Sequence, residues 1–193
     1  MRLLTGPRPQ PTGRLPCGGG AVVVAVASTA VLFAGCTSDS SSNDETTRDS
    51  SGQVVEGGDV GVFALEVGDC VDAGSFLDSV AEGDPAEVEQ FAAIPCSDPH
   101  TGEVILVDDE FFADLDEFPT TENDLYDSAA PACVSALDDY TGTTYESSPY
   151  DFASLIPTAE SWDAIDDRGL ICVGVTLNDA LDAPIETSGS IRA

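Results

Sequence analysis

Residues 170–177 read Leu-Ile-Cys-Val-Gly-Val-Thr-Leu and are followed by the polar residue Asn178. An apolar run of this length that is rich in β-branched residues is typical of a buried strand. Residues 103–107, Glu-Val-Ile-Leu-Val, have the same character. Weaker patterns over 62–67 and 87–94 predict two further strands. The sequence therefore predicts a sheet in which 170–177 is the last strand and lies centrally.

One main helix is predicted between these strands. Apolar or small side chains recur every three or four residues and form a single stripe, which consists of Leu125, Ala129, Cys133, Leu137 and Tyr140. Thr121 is suited to cap the N-terminus of this helix, and Gly142 is suited to end it. Pro131 lies inside the stripe and predicts a kink or a division into two short helices.

Strands that flank a single helix indicate a small α+β domain with an antiparallel or mixed sheet. We expect this domain to span 61–178, with an acidic loop containing a short helical turn over 108–119 and irregular chain over 145–167. Residues 36–60 are rich in Ser, Thr, Asp and Gly and contain no aromatic residue, so we expect a disordered acidic tether there. Residues 179–193 are expected to form a C-terminal tail.

Four cysteines fall within the predicted domain, namely Cys70, Cys96, Cys133 and Cys172. An even number in an exported chain predicts two disulfides. Three pairings exist, and we favour Cys70–Cys96 with Cys133–Cys172 because each bond closes a local unit. A zinc site is the alternative, but the chain has no Cys-x-x-Cys pair and contains a single histidine.

The beginning of the chain has the layout of a lipoprotein signal peptide. Three arginines precede an apolar run over 21–33, which is short for a bilayer span, and Ala34-Gly35-Cys36 follows. This end resembles the lipobox of bacterial lipoproteins, although Leu32 lies one place further from the cysteine than usual. We expect a signal peptide over 1–35, lipidation of Cys36 and anchoring at the extracytoplasmic face of the cell membrane. An uncleaved anchor, or ordinary secretion with an incidental cysteine, is the alternative.

The chain is strongly acidic. It carries 36 acidic residues against 6 basic ones, all of them arginine, and its formal net charge is −30. Such a charge repels nucleic acid and anionic lipid headgroups, so we expect neither as a direct ligand. The membrane would be reached through the lipid anchor alone, whereas a basic partner or cations are compatible with the charge.

The sequence contains no recognisable catalytic motif. We find no Gly-x-Ser-x-Gly elbow, phosphate-binding loop, dinucleotide fingerprint or His-Glu-x-x-His sequence. His100 is the only histidine, so a Ser–His or Cys–His mechanism would have to use it, with Ser97 and Asp98 nearby in sequence. A loop-stabilising role for His100 is favoured. The acidic run 108–117 lacks the ligand spacing of a calcium loop, and we predict no catalytic residue, metal or cofactor.

Trp162 and Arg168 are also candidates for a special role. A lone Trp in a small domain is usually part of the core, although it can serve as a ligand platform. Arg168 is the only basic residue within the predicted domain, and we expect it to pair with a carboxylate such as Asp69, Asp98 or Asp167. Structural roles are thus expected for both residues.

The order of these elements resembles the septum formation domain of actinobacterial surface proteins. The segments that carry the resemblance are Val67-Gly68-Asp69-Cys70, Ile94-Pro95-Cys96-Ser97-Asp98-Pro99-His100, Glu103-Val104, Cys133, Pro157, Trp162, Asp167-Arg168 and Cys172. Asp166 occupies a position where the family often has Gly. The resemblance implies an exported, often membrane-tethered domain connected with division-site or envelope processes, and it implies no catalytic residues. It marks as framework positions the four cysteines, Pro99, His100, Glu103, Trp162 and Arg168.

Together these observations predict a lipid-anchored extracytoplasmic domain with a non-catalytic binding or scaffolding role in the cell envelope, connected by the resemblance with cell division or septum formation. The expected partner is an envelope or divisome protein, or cell-wall material. Two alternatives stay open: a small envelope enzyme centred on His100, and an acidic surface module that binds cations. The first requires polar groups that converge on His100 in an open pocket. The second requires several carboxylates within one coordination shell.

Overall fold

The computed structural model describes residues 46–82, 87–181 and 183–193. In this part of the chain the strands are Thr47–Arg48 (β1), Val54–Glu56 (β2), Gly58–Gly61 (β3), Cys70–Asp72 (β4), Gln90–Ile94 (β5), Gly102–Asp108 (β6), Tyr150–Leu155 (β7), Leu170–Leu177 (β8) and Pro184–Ile185 (β9). The α-helices are Gly74–Glu82 (α1), Glu122–Thr141 (α2) and Ala159–Ile165 (α3), and 3₁₀ turns cover Val62–Ala64 and Tyr145–Ser147.

The main sheet contains seven strands in the order β3-β5-β4-β6-β8-β7, with β9 paired to the end of β8. Every pairing in it is antiparallel. β1 and β2 form a separate two-stranded antiparallel hairpin. The predicted α+β class is therefore confirmed, with a sheet that is antiparallel throughout.

β8 lies between β6 and β7, as expected for a central strand, although β9 follows it in the chain. Because successive side chains of a strand point to opposite faces, the sheet separates two cores. Val104 and Val173 belong to the core that includes Phe76 of α1. Ile105 and Cys172 belong to the other core, which is formed with α2.

α2 is one continuous helix, as predicted for one main helix, and of the two outcomes predicted at Pro131, a kink or a division, the division into two short helices is wrong. The buried stripe of Leu125, Ala129, Cys133 and Leu137 continues on both sides of the proline, and its packing offsets the lost backbone hydrogen bond. Thr121 is the N-cap residue, as predicted, but its side chain accepts no capping hydrogen bond. Gly142 ends the helix with φ 66°, a left-handed conformation that glycine adopts without strain.

Both favoured disulfides are present and confirm the predicted pairing. Cys70 and Cys96 are joined with their Cα atoms 5.2 Å apart, and Cys133 and Cys172 with theirs 5.6 Å apart. The first bond ties β4 to the loop after β5. The second ties α2 to β8, so that each bond links neighbouring elements of the fold.

Several predicted element boundaries are wrong. The strand expected over 62–67 is a 3₁₀ turn followed by a loop, and the strand expected over 87–94 begins at Gln90. The segment 145–167, expected to be irregular, contains β7 and α3. Pro149 and Pro157 gave that segment its irregular character, but both lie just before a regular element, where a missing N–H costs no internal hydrogen bond.

The predicted tether is wrong for residues 46–60, and the predicted tail is wrong for 179–193. β1, β2 and most of β3 lie in the first segment, where Val54 and Val60 are buried in the core. β9 lies in the second, and Ile191 packs against the core formed with α2. The tether was expected to be disordered because its composition is polar, and composition does not reveal pairing with distant residues. Residues 179–193 were expected only to form a tail.

The signal peptide predicted over 1–35 and the lipidation site Cys36 lie outside the described residues. Within the described residues, no helix combines the length and the apolar character needed to cross a bilayer. The anchoring predicted from the N-terminal sequence therefore stays a prediction.

Candidate functional site

The Cys-Ser-Asp-Pro-His segment, residues 96–100, pairs with the C-terminal segment, residues 187–193, through backbone hydrogen bonds. The C-terminal segment in turn reaches the end of α2, where the N–H of Ala193 donates to the carbonyl of Tyr140. Asp69, His100, Glu103 and Tyr140, which we call the buried polar cluster, are exposed by only 2%, 2%, 1% and 9%. Burying polar groups is unfavourable unless hydrogen bonds replace the lost water. The partners of these four side chains therefore decide whether the cluster serves the fold or is free for chemistry.

Glu103 joins three parts of the chain through its carboxylate. Its Oε1 accepts hydrogen bonds from the hydroxyl of Tyr140 at 2.5 Å and from that of Ser190 at 2.6 Å. Its Oε2 accepts a hydrogen bond from the backbone N–H of Ile191 at 2.7 Å. The donors come from α2 and from the C-terminal segment, so this one side chain on β6 holds both elements in place.

Tyr140 is a fixed hydrogen-bond donor. Burial, and then the hydrogen bond to Glu103, raise the pKa of Tyr140 to about 12, because a phenolate would lose solvation and face the carboxylate. The guanidinium carbon of Arg192 lies 4.5 Å from the centroid of the Tyr140 ring, and this contact also holds the chain end against α2. A phenol with this pKa stays protonated near neutral pH and does not act there as a general base.

Asp69 is neutralised by Arg48 of the β1–β2 hairpin. The guanidinium binds it through two contacts, from Nη1 to Oδ1 and from Nη2 to Oδ2, the second at 2.7 Å. The backbone N–H of Glu66 donates to Oδ2 at 2.8 Å. The hydrogen bond to Asp69 is the main reason that the pKa of Arg48 is raised. The carboxylate is thus fully occupied, and the hairpin is held to the domain by a charge pair.

His100 is buried beside the first disulfide, and within the described residues its ring bonds to neither the Ser97 hydroxyl nor the Asp98 carboxylate. Its Nδ1 lies 2.8 Å from the backbone carbonyl of Asp98, so Nδ1 carries the proton and donates it. Its backbone pairs with Thr187 in both directions, at 2.8 and 2.9 Å. Ser97 and the Asp98 carboxylate are exposed and contact each other at 3.4 Å. Its Nε2 is buried and has no hydrogen-bond partner among the described residues. Of the residues that the enzyme alternative places with His100, neither the Ser97 hydroxyl nor the Asp98 carboxylate thus bonds to its ring in the described part of the chain.

One set of three metal-ligating side chains comes together within the described residues. A ring nitrogen of His100, Sγ of Cys70 and a carboxylate oxygen of Glu103 lie within 4.8 Å of one another. Cys70 is bonded to Cys96, and both oxygens of Glu103 already accept hydrogen bonds, so the set does not fit a metal ion while the disulfide is intact. The described carboxylates of 108–117 do not converge in the way the cation-binding alternative requires.

Trp162 and Arg168, two further residues that carry the family resemblance, contact each other. Trp162 is buried, with 4% of its surface exposed, and its ring meets that of Phe118 edge to face at 5.5 Å. The guanidinium carbon of Arg168 lies 3.5 Å from the Trp162 ring centroid, a cation–π contact. The carboxylate partner of Arg168 is Asp166, at 2.8 Å. The expected partners Asp69, Asp98 and Asp167 are therefore wrong, because Asp69 is taken by Arg48 and Asp167 offers Arg168 only its carbonyl.

The backbone conformation of Asp166 explains why a glycine would suit this position. Asp166 ends α3 with φ 58° in the left-handed region, which costs a side chain conformational energy unless the residue is Gly, Asn or Asp. The turn at Asp166 places its carboxylate beside Arg168, where the two form their ion pair.

An open groove of about 970 Å³ lies away from the buried polar cluster. Its apolar lining includes Val62, Phe63, Phe76, Val107, Leu155 and Ile171. Seven carboxylates also line it, among them Glu87, Glu89, Asp109 and Glu160, against a single basic residue, Arg168. A smaller pocket of about 240 Å³ adjoins Glu103, Tyr140 and Arg192. His100 lines neither of these two spaces.

Residues 68–193 match the family model described as Septum formation. The chain belongs to the septum formation family. The match covers the four disulfide cysteines, the buried polar cluster and the whole C-terminal segment. No curated protein and no solved structure matches the chain. The septum formation family is not a known enzyme family, and its name connects the domain with cell division.

Sequence reasoning missed several residues that hold the septum formation domain together. Arg48 lies in the expected tether, and Ser190 and Arg192 lie in the expected tail. Tyr140 was recognised only as an apolar member of the α2 stripe. The excess of acidic residues was the available signal, because each of the few arginines after the signal region is needed to neutralise or cover a buried group.

Proposed function

We propose that this protein is a lipid-anchored extracytoplasmic domain with a non-catalytic binding or scaffolding role in the cell envelope, acting in septum formation. The observation that carries the proposal is the burial and bonding of Asp69, His100 and Glu103, which we call the family's polar motif. The carboxylates of Asp69 and Glu103 are buried and bound by donors inside the domain. His100 is buried and donates from Nδ1 to the carbonyl of Asp98, while its Nε2 has no hydrogen-bond partner among the described residues. Carboxylates that are engaged in this way maintain the fold and are not free to bind and transform a substrate.

Two features of the chain support the part of the proposal that concerns export. The chain carries two disulfides, which persist in oxidising compartments and are rare in the cytosol. The N-terminal 36 residues have the layout of a lipoprotein signal peptide. A single acyl chain binds a membrane only marginally, so stable anchoring at Cys36 would need more than one chain. The family's connection with septum formation agrees with this location, because septum synthesis takes place in the envelope.

Replacement of Cys36 tests the anchoring part of the proposal. In a strain that lacks the native copy, Cys36→Ala should release the protein into the medium or leave an unprocessed precursor. Cys17→Ala is the matched control, because Cys17 lies within the predicted signal peptide and its loss should leave anchoring unchanged. The readouts are membrane fractionation, the mass of the mature N-terminus and septum morphology. Fully processed, membrane-bound Cys36→Ala protein would contradict lipid anchoring.

A further inference from the structure

The groove defined above combines an apolar floor with an acidic lining. Two of its apolar side chains are unusually exposed: 68% of the surface of Phe63 is accessible, and 61% of that of Ile165. Phe63 follows the edge strand β3, whereas Ile165 ends the helix after the opposite edge strand β7. Exposed apolar groups that follow the two edge strands of the main sheet therefore flank the groove. Exposed apolar side chains that line a groove are typical of interaction sites.

The charge of the groove restricts what it can bind. Seven carboxylates line it, and the single arginine, Arg168, is already occupied by Asp166 and Trp162. An anionic ligand or an anionic lipid surface would be repelled by this lining. A ligand with positive charges placed beside apolar groups would gain from both components, because complementary charge speeds association and apolar burial slows dissociation.

We propose that this groove binds a cationic amphipathic segment of a partner protein, in which Lys or Arg side chains accompany Leu- or Phe-like side chains. The apolar side chains would cover Phe63, Leu155 and Ile165, and the cations would meet carboxylates such as Glu89 and Glu160. This inference rests on the proposed binding role and names the surface and the partner chemistry that such a role would use.

The experiment is a titration of a fluorescent peptide with the full chain held in nanodiscs of zwitterionic lipid. The probe is a ten-residue peptide of alternating Leu and Lys, and empty nanodiscs are subtracted. Peptides of alternating Leu and Glu, and of alternating Ser and Lys, separate the apolar component from the charged one. The Leu/Lys peptide should bind best, and its affinity should fall with added salt because exposed charges are screened over ~10 Å at ~0.1 M.

Two pairs of variants locate the binding on the protein. The double variant Phe63→Ser with Ile165→Ser should weaken binding of the Leu/Lys peptide about tenfold or more. The reason is that the peptide would no longer bury an apolar side chain of the protein at either position. The matched control is Leu181→Ser, at a side chain 56% exposed that does not line the groove. Glu89→Lys with Glu160→Lys should weaken binding to a similar degree, whereas Asp139→Lys, at an exposed site near the end of α2, should not.

Three outcomes would overturn the inference. The Leu/Glu peptide could bind as well as the Leu/Lys peptide, the groove variants could bind like the parent, or the chain could bind anionic vesicles in place of the peptide. A failure of anchoring is distinguishable from a failure of this inference, because a chain without lipid would not co-purify with the nanodiscs before any peptide is added. The septum role is read separately, from cell morphology.

Discussion

Arg48 and Asp69 form a two-contact ion pair across 21 residues of sequence, and it ties the N-terminal hairpin to the start of β4. Asp69 is 2% exposed, so its carboxylate depends on this partner for its charge to be tolerated. The pair turns an acidic, serine-rich segment that resembles a linker into part of the folded domain.

Arg48→Gln should strongly destabilise the protein. Removing one partner of a buried pair leaves the other charge uncompensated, and we expect a loss of about 3 kcal/mol in the free energy of unfolding. Urea denaturation measures it. The double variant Arg48→Gln with Asp69→Asn should recover more than half of the loss, because no buried charge is left. An Arg48→Gln protein as stable as the parent would mean that residues 46–60 behave as the loose tether that their composition indicates.

Tyr140→Phe should destabilise the protein by about 1–3 kcal/mol, because Glu103 then loses a hydrogen bond while it stays buried. The matched control is Tyr145→Phe, which removes a 2.9 Å hydrogen bond to Asp151 at a partly exposed site. That substitution should cost less, since water can replace the lost donor. Equal losses in the two variants would indicate that the Glu103 carboxylate is more accessible to water than its 1% exposure indicates.

Tyr140 should also give the protein a stability loss at high pH. Its pKa is about 12 in the folded state against an ordinary value of 10.0. The folded state therefore binds the proton more tightly, and the resulting stability is present below pH 10 and lost as the pH rises toward 12. Denaturant midpoints measured between pH 8 and 12 test this. The fall should be smaller in Tyr140→Phe, and an identical profile in the two proteins would contradict the assignment.

Deleting Ser190–Ala193 should destabilise the buried polar cluster, because it removes partners of Glu103 and Tyr140. The deletion removes two donors to Glu103, the packing of Ile191 and the contact between Arg192 and Tyr140. We expect a lower melting temperature and faster amide exchange in β6, measured by hydrogen exchange. Deletion of Ala193 alone is the control, since it removes one backbone hydrogen bond, to the carbonyl of Tyr140. Unchanged exchange in β6 would show that the C-terminal segment is dispensable.

The parts of the fold that the sequence predicted correctly share a strong local signal. β6, α2 and β8 have clear apolar patterns, and the disulfide pairing followed from the proximity of Cys70 to Cys96 and of Cys133 to Cys172. Their patterns are set by burial of neighbouring residues, which a short window of sequence records. The resemblance to the septum formation domain was likewise carried by short motifs.

The parts that were missed depend on contacts between distant residues. The β1–β2 hairpin is held by Arg48 to Asp69, and the C-terminal segment is held by backbone and hydroxyl donors to Glu103. Neither kind of contact alters apolar periodicity, so composition indicated a disordered tether at the first segment and nothing indicated the pairing of the second. The partner of Arg168 was missed for a similar reason, because the left-handed turn at Asp166 decides which carboxylate is near. In the candidate site, the sequence identified His100 and Glu103, but not the distant residues that contact them.

The central claim is that the family's polar motif maintains the fold and leaves no catalytic group at His100. The most direct test is His100→Gln, with melting temperature and complementation of a deletion strain measured on the same variant. Loss of the buried ring and its hydrogen bond to Asp98 should lower stability by about 1–2 kcal/mol. Complementation should then fall only as far as the amount of folded protein falls. A His100→Gln protein that melts like the parent and yet fails to complement would contradict the account and place a functional site at His100.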